Sequence, residues 1–259
     1  MKKNRLLIII SLVDRSFAFE WFFRELIQTG INFQVVFLHP HTPVLMEVCR
    51  DLNIKTHHIS YRGKQSSAMA FLKLIGLLIK EKITCVHAHL FDASLIGLTA
   101  AKFTGIRKRI HTRHHASQHH IYNSHAVKYD RYINRLSTHI IAISHNIKNI
   151  LVEQEQVEVD KISVIHHGFD LDYFYKVNES RVLQLQEKYG LKNAFPVVGV
   201  ISRWTHWKGL QFIMPAFERI RMKYPAAVLL LANAVGEYAV QIEELLKKLP
   251  THAYRKITF

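Results

Sequence analysis

The 259 residues suffice for one large domain or two ordinary ones, and 49% hydrophobic against 21% charged residues excludes a disordered chain in favour of a packed core. Thirty-five Lys and Arg against 20 Asp and Glu leave a formal charge of +15, with 18 histidines besides, which suits an anionic partner: nucleic acid, an anionic membrane surface or a phosphorylated substrate. The two cysteines, Cys49 and Cys85, form no CxxC pair, so a disulfide framework or thiolate zinc site is not expected and a reducing, cytoplasmic setting fits.

Met1 to Arg5 followed by the apolar run Leu6 to Val13 has the outline of a signal peptide. The run is short, however, Asp14-Arg15 follows at once, and no small-residue cleavage site appears; a first buried strand over Leu6 to Ile10 explains the same residues better. No stretch approaches the roughly 20 apolar residues that span a bilayer. Helix Ala18 to Gln28, strand Phe33 to Leu38, helix Val44 to Leu52, strand Thr56 to Ile59 and helix Ser67 to Lys80 follow. The series continues with strand Thr84 to Ala88, helix Ala93 to Phe103, strand Arg107 to Thr112, helix Ser124 to Leu136, strand Thr138 to Ile143, helix Asn146 to Gln154 and strand Ile162 to Ile165. Strict alternation with continuously apolar strands predicts an α/β fold, a doubly wound parallel sheet with helices on both faces.

After Gly168 the alternation breaks. Phe169 to Lys176 reads as irregular, and helix Ser180 to Tyr189 leads into strand Val197 to Ile201, helix Gly209 to Met222, strand Val228 to Leu231, helix Glu237 to Leu249 and a strand opening over Arg255 to Phe259. The predicted organisation is a first Rossmann-like domain over 1–176 and an incomplete second one over 177–259. Two strands and part of a third are expected neither to cover their edges nor to bury a proper core.

Val198-Gly-Val-Ile-Ser-Arg203-Trp-Thr-His-Trp-Lys208-Gly209 lies between a strand and a helix. A loop at the carboxyl end of a parallel strand, facing a helix amino terminus, is where α/β proteins bind phosphates. Arg203 offers a planar fork and Lys208 a point charge, and Gly209 permits close backbone approach. Read alone, the segment serves equally as a solvated basic turn. Trp204 and Trp207 either pack on a base or sugar or close an interdomain cleft, the second reading being the simpler.

The segment resembles the Gly-Arg-Leu…Lys-Gly motif of family 4 glycosyltransferases, with Ser202 in place of the usual glycine. Val164-Ile-His-His-Gly168-Phe-Asp170 resembles that family's interdomain segment, and Ile141-Ala-Ile-Ser144 one of its strand ends. Val86-His87-Ala88-His89 with Gly97-Leu-Thr-Ala-Ala, and His111-Thr112-Arg113-His114, resemble two more. Five matches in order over nearly the whole chain make a specific signal. The resemblance implies a GT-B fold and transfer of a sugar from a nucleotide diphosphate sugar, with retention, to a glycan or lipid-linked acceptor. It implies no cofactor and no metal, the nucleotide sugar being a co-substrate. It implies that Arg203, Lys208 and Gly209 bind the donor, with Arg203 and Lys208 stabilising the leaving diphosphate and His114 lining the cleft near the transferred sugar. Asp14, Arg15, Glu20 and His89 would lie on the acceptor side.

Two departures stand out. Asp14-Arg15-Ser16 replaces the family's Gly-Gly loop, and the family's glutamate pair spaced eight apart has no counterpart up to Phe259. The expectation is therefore a C-terminally truncated chain, inactive alone, or a non-catalytic sugar-nucleotide or acceptor-binding subunit that needs a partner chain. Among the histidines, His115 and His119 have the i,i+4 spacing of one helix face, but no His-Glu-x-x-His and no nearby carboxylate completes a zinc set, so metal is a minor reading. His87 reads as a satisfied histidine at the sheet margin. No zinc-finger, helix-turn-helix or ribonucleoprotein motif supports specific nucleic-acid binding, and no Gly-x-Gly-x-x-Gly follows the first strand. The charge and the basic amphipathic segment Lys73 to Lys82 favour a peripheral position on an anionic inner membrane.

Overall fold

Continuous apolar runs can be buried on both sides only if helices cover both faces of the sheet they form, and a computed structural model, which describes residues 5–232 and 235–257, realises that arrangement. Met1 to Asn4, the charged start of the signal-peptide outline, and the last two residues of the strand expected up to Phe259 lie outside the described residues. Contacts divide the chain into two compact units, Met1–Asp170 and Leu171–Phe259.

In the first unit the order is β1 (Leu6–Ser11), α1 (Phe17–Gln28), β2 (Phe33–His39), α2 (Val44–Asp51), β3 (Thr56–Ser60), α3 (Ser67–Lys80), β4 (Cys85–His89) and α4 (Phe91–Phe103). β5 (Lys108–Arg113), α5 (Gln118–Tyr122), α6 (Val127–Leu136), β6 (His139–Ala142), α7 (His145–Asn149) and β7 (Ile162–Val164) complete it. The strands form one parallel sheet of seven in the order β3-β2-β1-β4-β5-β6-β7. Within β1, Leu7 and Ile9 point into the core with Leu74, Leu78, Leu98 and Ala101. Ile8 and Ile10 point the other way, against Phe19, Phe23, Leu45 and Cys49. All four β1 residues are at most 1% exposed, and each fully buried side chain of this size contributes roughly 1.5–3 kcal/mol. α1 begins where the Ser16 side chain accepts from the Phe19 amide, and Phe19 and Phe23, one turn apart, face the sheet.

The topology has one reversal. From β1 the chain winds outward to β3, returns to β4 beside β1, and then winds the other way to β7. The carboxyl ends of β1 and β4 thus flank a switch point, where side chains from both halves can converge around an open crevice.

Four local readings change. The helix expected from Ser124 starts with a 3-10 turn, Ser124–Ala126, and the one expected up to Gln154 ends in a π-helical turn, Ile150–Gln154. The short α5 was not anticipated, and Leu171–Tyr175, expected to be irregular, is the helix α8.

In the second unit α8 is followed by α9 (Glu179–Lys188), β8 (Val197–Ile201), α10 (Leu210–Lys223), β9 (Val228–Ala232), α11 (Ala239–Leu246) and β10 (Tyr254–Ile257). Its three strands are parallel in the order β10-β9-β8. Contrary to the expectation from strand count, this sheet does bury a core: Trp204, Leu210, Met214, Phe217, Leu229, Leu231, Ile242 and Leu246 pack together at 3% exposure or less. One face suffices, because α10 and α11 both cover it, while Val197 and Ile201 on the other side of β8 remain exposed.

Trp204 is in this core rather than in any cleft, which corrects the sequence reading of that residue. Its backbone is held at both ends, the amide donating to Val235 and the carbonyl accepting from Tyr238. Between those partners Gly236 has φ +152° and passes so close that a Cβ would lie 2.2 Å from the Trp204 carbonyl oxygen. Gly236→Ala is expected to destabilise this unit by roughly 2–4 kcal/mol, read as a lowered denaturation midpoint of the Trp204 fluorescence transition. An unchanged midpoint would refute the close-approach argument.

Candidate functional site

At the switch point lies a cavity of about 450 Å³, lined by Ser11 at the end of β1 and Leu12 after it, Leu90 to Asp92 after β4, His114 and His115 after β5, and His119 and Asp130 among others. Its backbone is bent where the strands end. Leu12 has φ +55° and Leu90 φ +72°, a region that L-residues with side chains rarely occupy. Tertiary bonds hold the turns: the Leu12 amide donates to Leu38 O, and the Ser11 hydroxyl accepts from the Ala93 amide at 3.1 Å. Strain of this kind persists only where the surroundings over-determine it, and it clusters at binding sites.

Histidines cluster at this end of the sheet, and His111, His114, His115 and His119 line the cavity itself. His87 Nε2 lies 2.7 Å from Thr112 Oγ1, so this ring is satisfied inside the sheet. His89 Nδ1 and His114 Nε2 are 3.2 Å apart, one ring donating to the other, and Phe19 of α1 meets His89 edge-on at 5.1 Å between centroids. His167 stacks on His114 at 5.4 Å. His111 Nδ1 pairs with Ser94 Oγ at 2.8 Å. Burial disfavours the imidazolium at His87, His89, His111 and His114. It brings His87 to about 4, with the His114 charge assisting, and His114 to about 4, assisted by His167 and His115. Burial first, then neighbouring charges, holds His89 and His111 well below the ordinary histidine value. His111 and His114, which line the cavity, are therefore uncharged at neutral pH and can donate or accept hydrogen bonds.

Beneath it runs an ionic network that the sequence did not disclose. Arg113, 1% exposed, reaches Asp130 Oδ1 through Nη1 at 2.8 Å and Glu155 Oε1 through Nη2 at 2.7 Å. Its Nε donates to the His115 carbonyl at 3.0 Å. Glu155 also accepts from Asn134 at 2.6 Å and lies 3.1 Å from His120 Nε2. His119 Nδ1 sits 2.6 Å and His115 Nε2 3.6 Å from Asp130 Oδ2. Burial pushes the Asp130 carboxyl up, but the neighbouring His115 ring, the Arg113 charge and the bond from His119 outweigh it and leave the group below its usual value. Asp130 is the carboxylate that the sequence reading did not find near the histidines. A signal existed: Asp130 and Asn134 fall in phase with Ala126, Ile133 and Ser137 on the buried stripe of their helix. His115 precedes α5 rather than sharing a helix face with His119, which corrects the i,i+4 reading. Asp92, also missed, lines the cavity in the first turn of α4, with burial raising its carboxyl.

Of the four residues expected on the acceptor side, only His89 contacts His114 directly. Asp14 accepts from the Val44 amide at 3.1 Å and so caps α2. Arg15 lies 3.8 Å from Glu20 and 5.1 Å from the Phe17 ring.

In the second unit, Arg203 and Lys208 are both exposed on the segment between β8 and α10. A single 3-10 turn, His206–Lys208, leads to Gly209, whose φ of +73° places it at the amino cap of α10. Trp207 is 40% exposed beside them. Two exposed cations and a left-handed glycine thus stand just before a helix amino terminus, whose dipole favours negative charge.

Residues 13–173 match the sequence profile of Glycosyltransferase Family 4. The chain belongs to that family. A galactosyltransferase of Escherichia coli, described as UDP-Gal:alpha-D-GlcNAc-diphosphoundecaprenol alpha-1,3-galactosyltransferase, is 31% identical over 150 residues, which cover 55% of this chain and 38% of that protein. A trehalose synthase of Thermococcus litoralis is 22% identical over 47% of this chain and 28% of its own. Among solved structures, Anabaena HepE in complex with UDP-glucose superposes with a TM-score of 0.80 at 18% identity, over 98% of this chain and 69% of HepE. UDP-GlcNAc 2-epimerase from Neisseria meningitidis bound to UDP-GlcNAc gives 0.64 at 18% identity, over 98% of this chain and 72% of the epimerase. These likenesses show the GT-B fold, which transferases and epimerases share, and the chain spans well under half the length of the curated relatives it matches.

The buried histidines make this family 4 chain acid-sensitive in a defined window. Between about pH 6.5 and about 4 the unfolded chain binds protons that folded His87 and His114 refuse, so stability is full above that window and falls as the pH drops through it. At pH 5 the loss is on the order of 2 kcal/mol per histidine relative to pH 7. Urea denaturation at the two pH values measures it, and His87→Gln should flatten the slope by about one proton. Equal stability at pH 5 and pH 7 would contradict the neutral assignment.

Proposed function

We propose that the protein is a retaining glycosyltransferase that moves a sugar from a uridine diphosphate sugar to a glycan or lipid-linked acceptor. The observation that carries this reading is the cavity at the β1–β4 switch point, lined by neutral His114, within the segment that matches the family. Arg203 and Lys208 bind the donor diphosphate, and their charge offsets the negative charge that grows on it as the glycosidic bond breaks. Gly209 lets the backbone come close to the same group. His114, uncharged, hydrogen-bonds the sugar being transferred, and His89 orients it. Asp14, Arg15 and Glu20 belong to the acceptor side, with Asp14 acting through the loop that it caps. The relatives support a UDP-linked donor, and the galactosyltransferase supports a diphosphate-lipid acceptor.

The deciding assay supplies UDP-galactose, UDP-glucose or UDP-N-acetylglucosamine with a polyprenyl-diphosphate N-acetylglucosamine acceptor and follows UDP release and glycolipid formation. Arg203→Ala and Lys208→Ala should each lower kcat/KM by roughly 10²- to 10³-fold, and His114→Ala by roughly 10²- to 10⁴-fold. Conversion of the UDP-sugar without acceptor would favour an epimerase instead. Saturable UDP binding without turnover would favour a binding subunit.

A lipid-linked acceptor, as proposed, supports a position beside a bilayer. Among the described residues no helix is long and apolar enough to cross a membrane. α3 nevertheless presents Met69, Leu72 and Ile79 at 56%, 60% and 64% exposure, interleaved with exposed Lys73 and Lys80. Such a face lies in a lipid interface, with its apolar side chains inserted and its lysines at the anionic headgroups. In flotation with phosphatidylglycerol vesicles the protein should bind at low salt, release as salt rises, and lose binding in Leu72→Glu with Ile79→Glu. Absence of binding at low salt would sink this part of the proposal.

A further inference from the structure

His115, His119 and Asp130 come from three separate places, the strand end after β5, the first turn of α5 and the middle of α6, yet all line one cavity. One ligand atom from each lies within 4.8 Å of the other two. The imidazole rings are 4.3 Å apart between centroids at 56°. His115 Nε2 is buried without a hydrogen-bond partner, 3.6 Å from Asp130 Oδ2. We propose that these three residues bind a single divalent transition-metal ion, zinc or a metal of the same preference, which pins the segment after β5 to α6.

Geometry and ligand chemistry agree on this. Ligands about 2.0–2.1 Å from a tetrahedral ion sit roughly 3.3 Å from one another. Asp130 Oδ2 and His115 Nε2 need only draw together by a few tenths of an ångström from 3.6 Å. His119 Nδ1, now 2.6 Å from Asp130 Oδ2, would relax outward by less than an ångström as the ion replaces the proton they share. Two imidazoles with one carboxylate suit zinc, cobalt or nickel, whereas calcium and magnesium select oxygen ligands. The other Asp130 oxygen is already held by Arg113 at 2.8 Å, the kind of outer partner that orients a ligating carboxylate. The cavity leaves the fourth position to water.

A second cluster, Asp14, His39 and His41, also has its ligand atoms within 4.8 Å of one another and serves as an internal control. Asp14 and His41 are exposed, so water competes for them, and Asp14 also caps α2.

The test uses the whole chain, stripped with a chelator and titrated with Zn²⁺ against a chromophoric competitor and, separately, with Co²⁺. One Zn²⁺ per chain, a Co²⁺ visible spectrum of low coordination number and a Zn²⁺-dependent rise in Tm are expected. His115→Ala and His119→Ala should each weaken Zn²⁺ at least tenfold and abolish that spectrum, while His41→Ala leaves both unchanged. Far-ultraviolet circular dichroism of the metal-free variants checks folding, and either histidine variant suffices if the other misfolds. Asp130 is left intact because its loss would strand Arg113. Weak multi-site binding that neither histidine variant alters, or transfer of the effect to His41→Ala, would overturn the proposal. Neither result bears on the glycosyltransferase reading, whose assay is separate.

Discussion

The first unit is organised around one buried cation. Arg113 ends β5 with 1% of its surface exposed, and a guanidinium in that setting must have its charge and its donors met inside the protein. Asp130 from α6 and Glu155 beyond the π-helical turn supply the charge, Glu155 accepts from Nη2, and the His115 carbonyl accepts from Nε. Desolvation makes such a network costly when any member is missing, so it fixes α6 and the turn after α7 against the end of β5. His115, His119 and His120 attach to the same carboxylates, and the wall of the cavity takes its shape from that attachment.

Above the network the chemistry changes sign. The rings of His87, His89, His111 and His114 are kept neutral because burial removes the water that would stabilise an imidazolium. Of these, His111 and His114 line the cavity, where they offer hydrogen-bonding groups that carry no charge. The strained residues Leu12 and Leu90 bring the loops after β1 and β4 around the same space, at the one place where the winding of the sheet reverses.

The second unit solves a different problem, presenting charge. Trp204 is sunk into the core, so Arg203 just before it and Lys208 further along are carried outward on a loop whose root is fixed. Gly236 allows the neighbouring loop to lie against the Trp204 backbone, and Gly209 turns the chain into α10. An exposed arginine and lysine need not be specific in a chain of +15 charge; their place before a helix amino terminus is what distinguishes them.

Strand positions, the parallel sheet and its coverage by helices were readable from the residues, because a run such as Leu7 to Ile10 can be buried on both faces only in that architecture. Motif order was equally readable, and it pointed to family 4. Residues far apart in sequence were not: Arg113, Asp130 and Glu155 carry no local pattern that pairs them, and their proximity follows from how α6 docks on β5. Nor did strand number foretell the core of the second unit, since two helices on one face can exclude water from a three-stranded sheet. Periodicity reports which side of an element is apolar. Which polar groups meet across the core is decided only when tertiary packing removes their water and obliges each to find a partner.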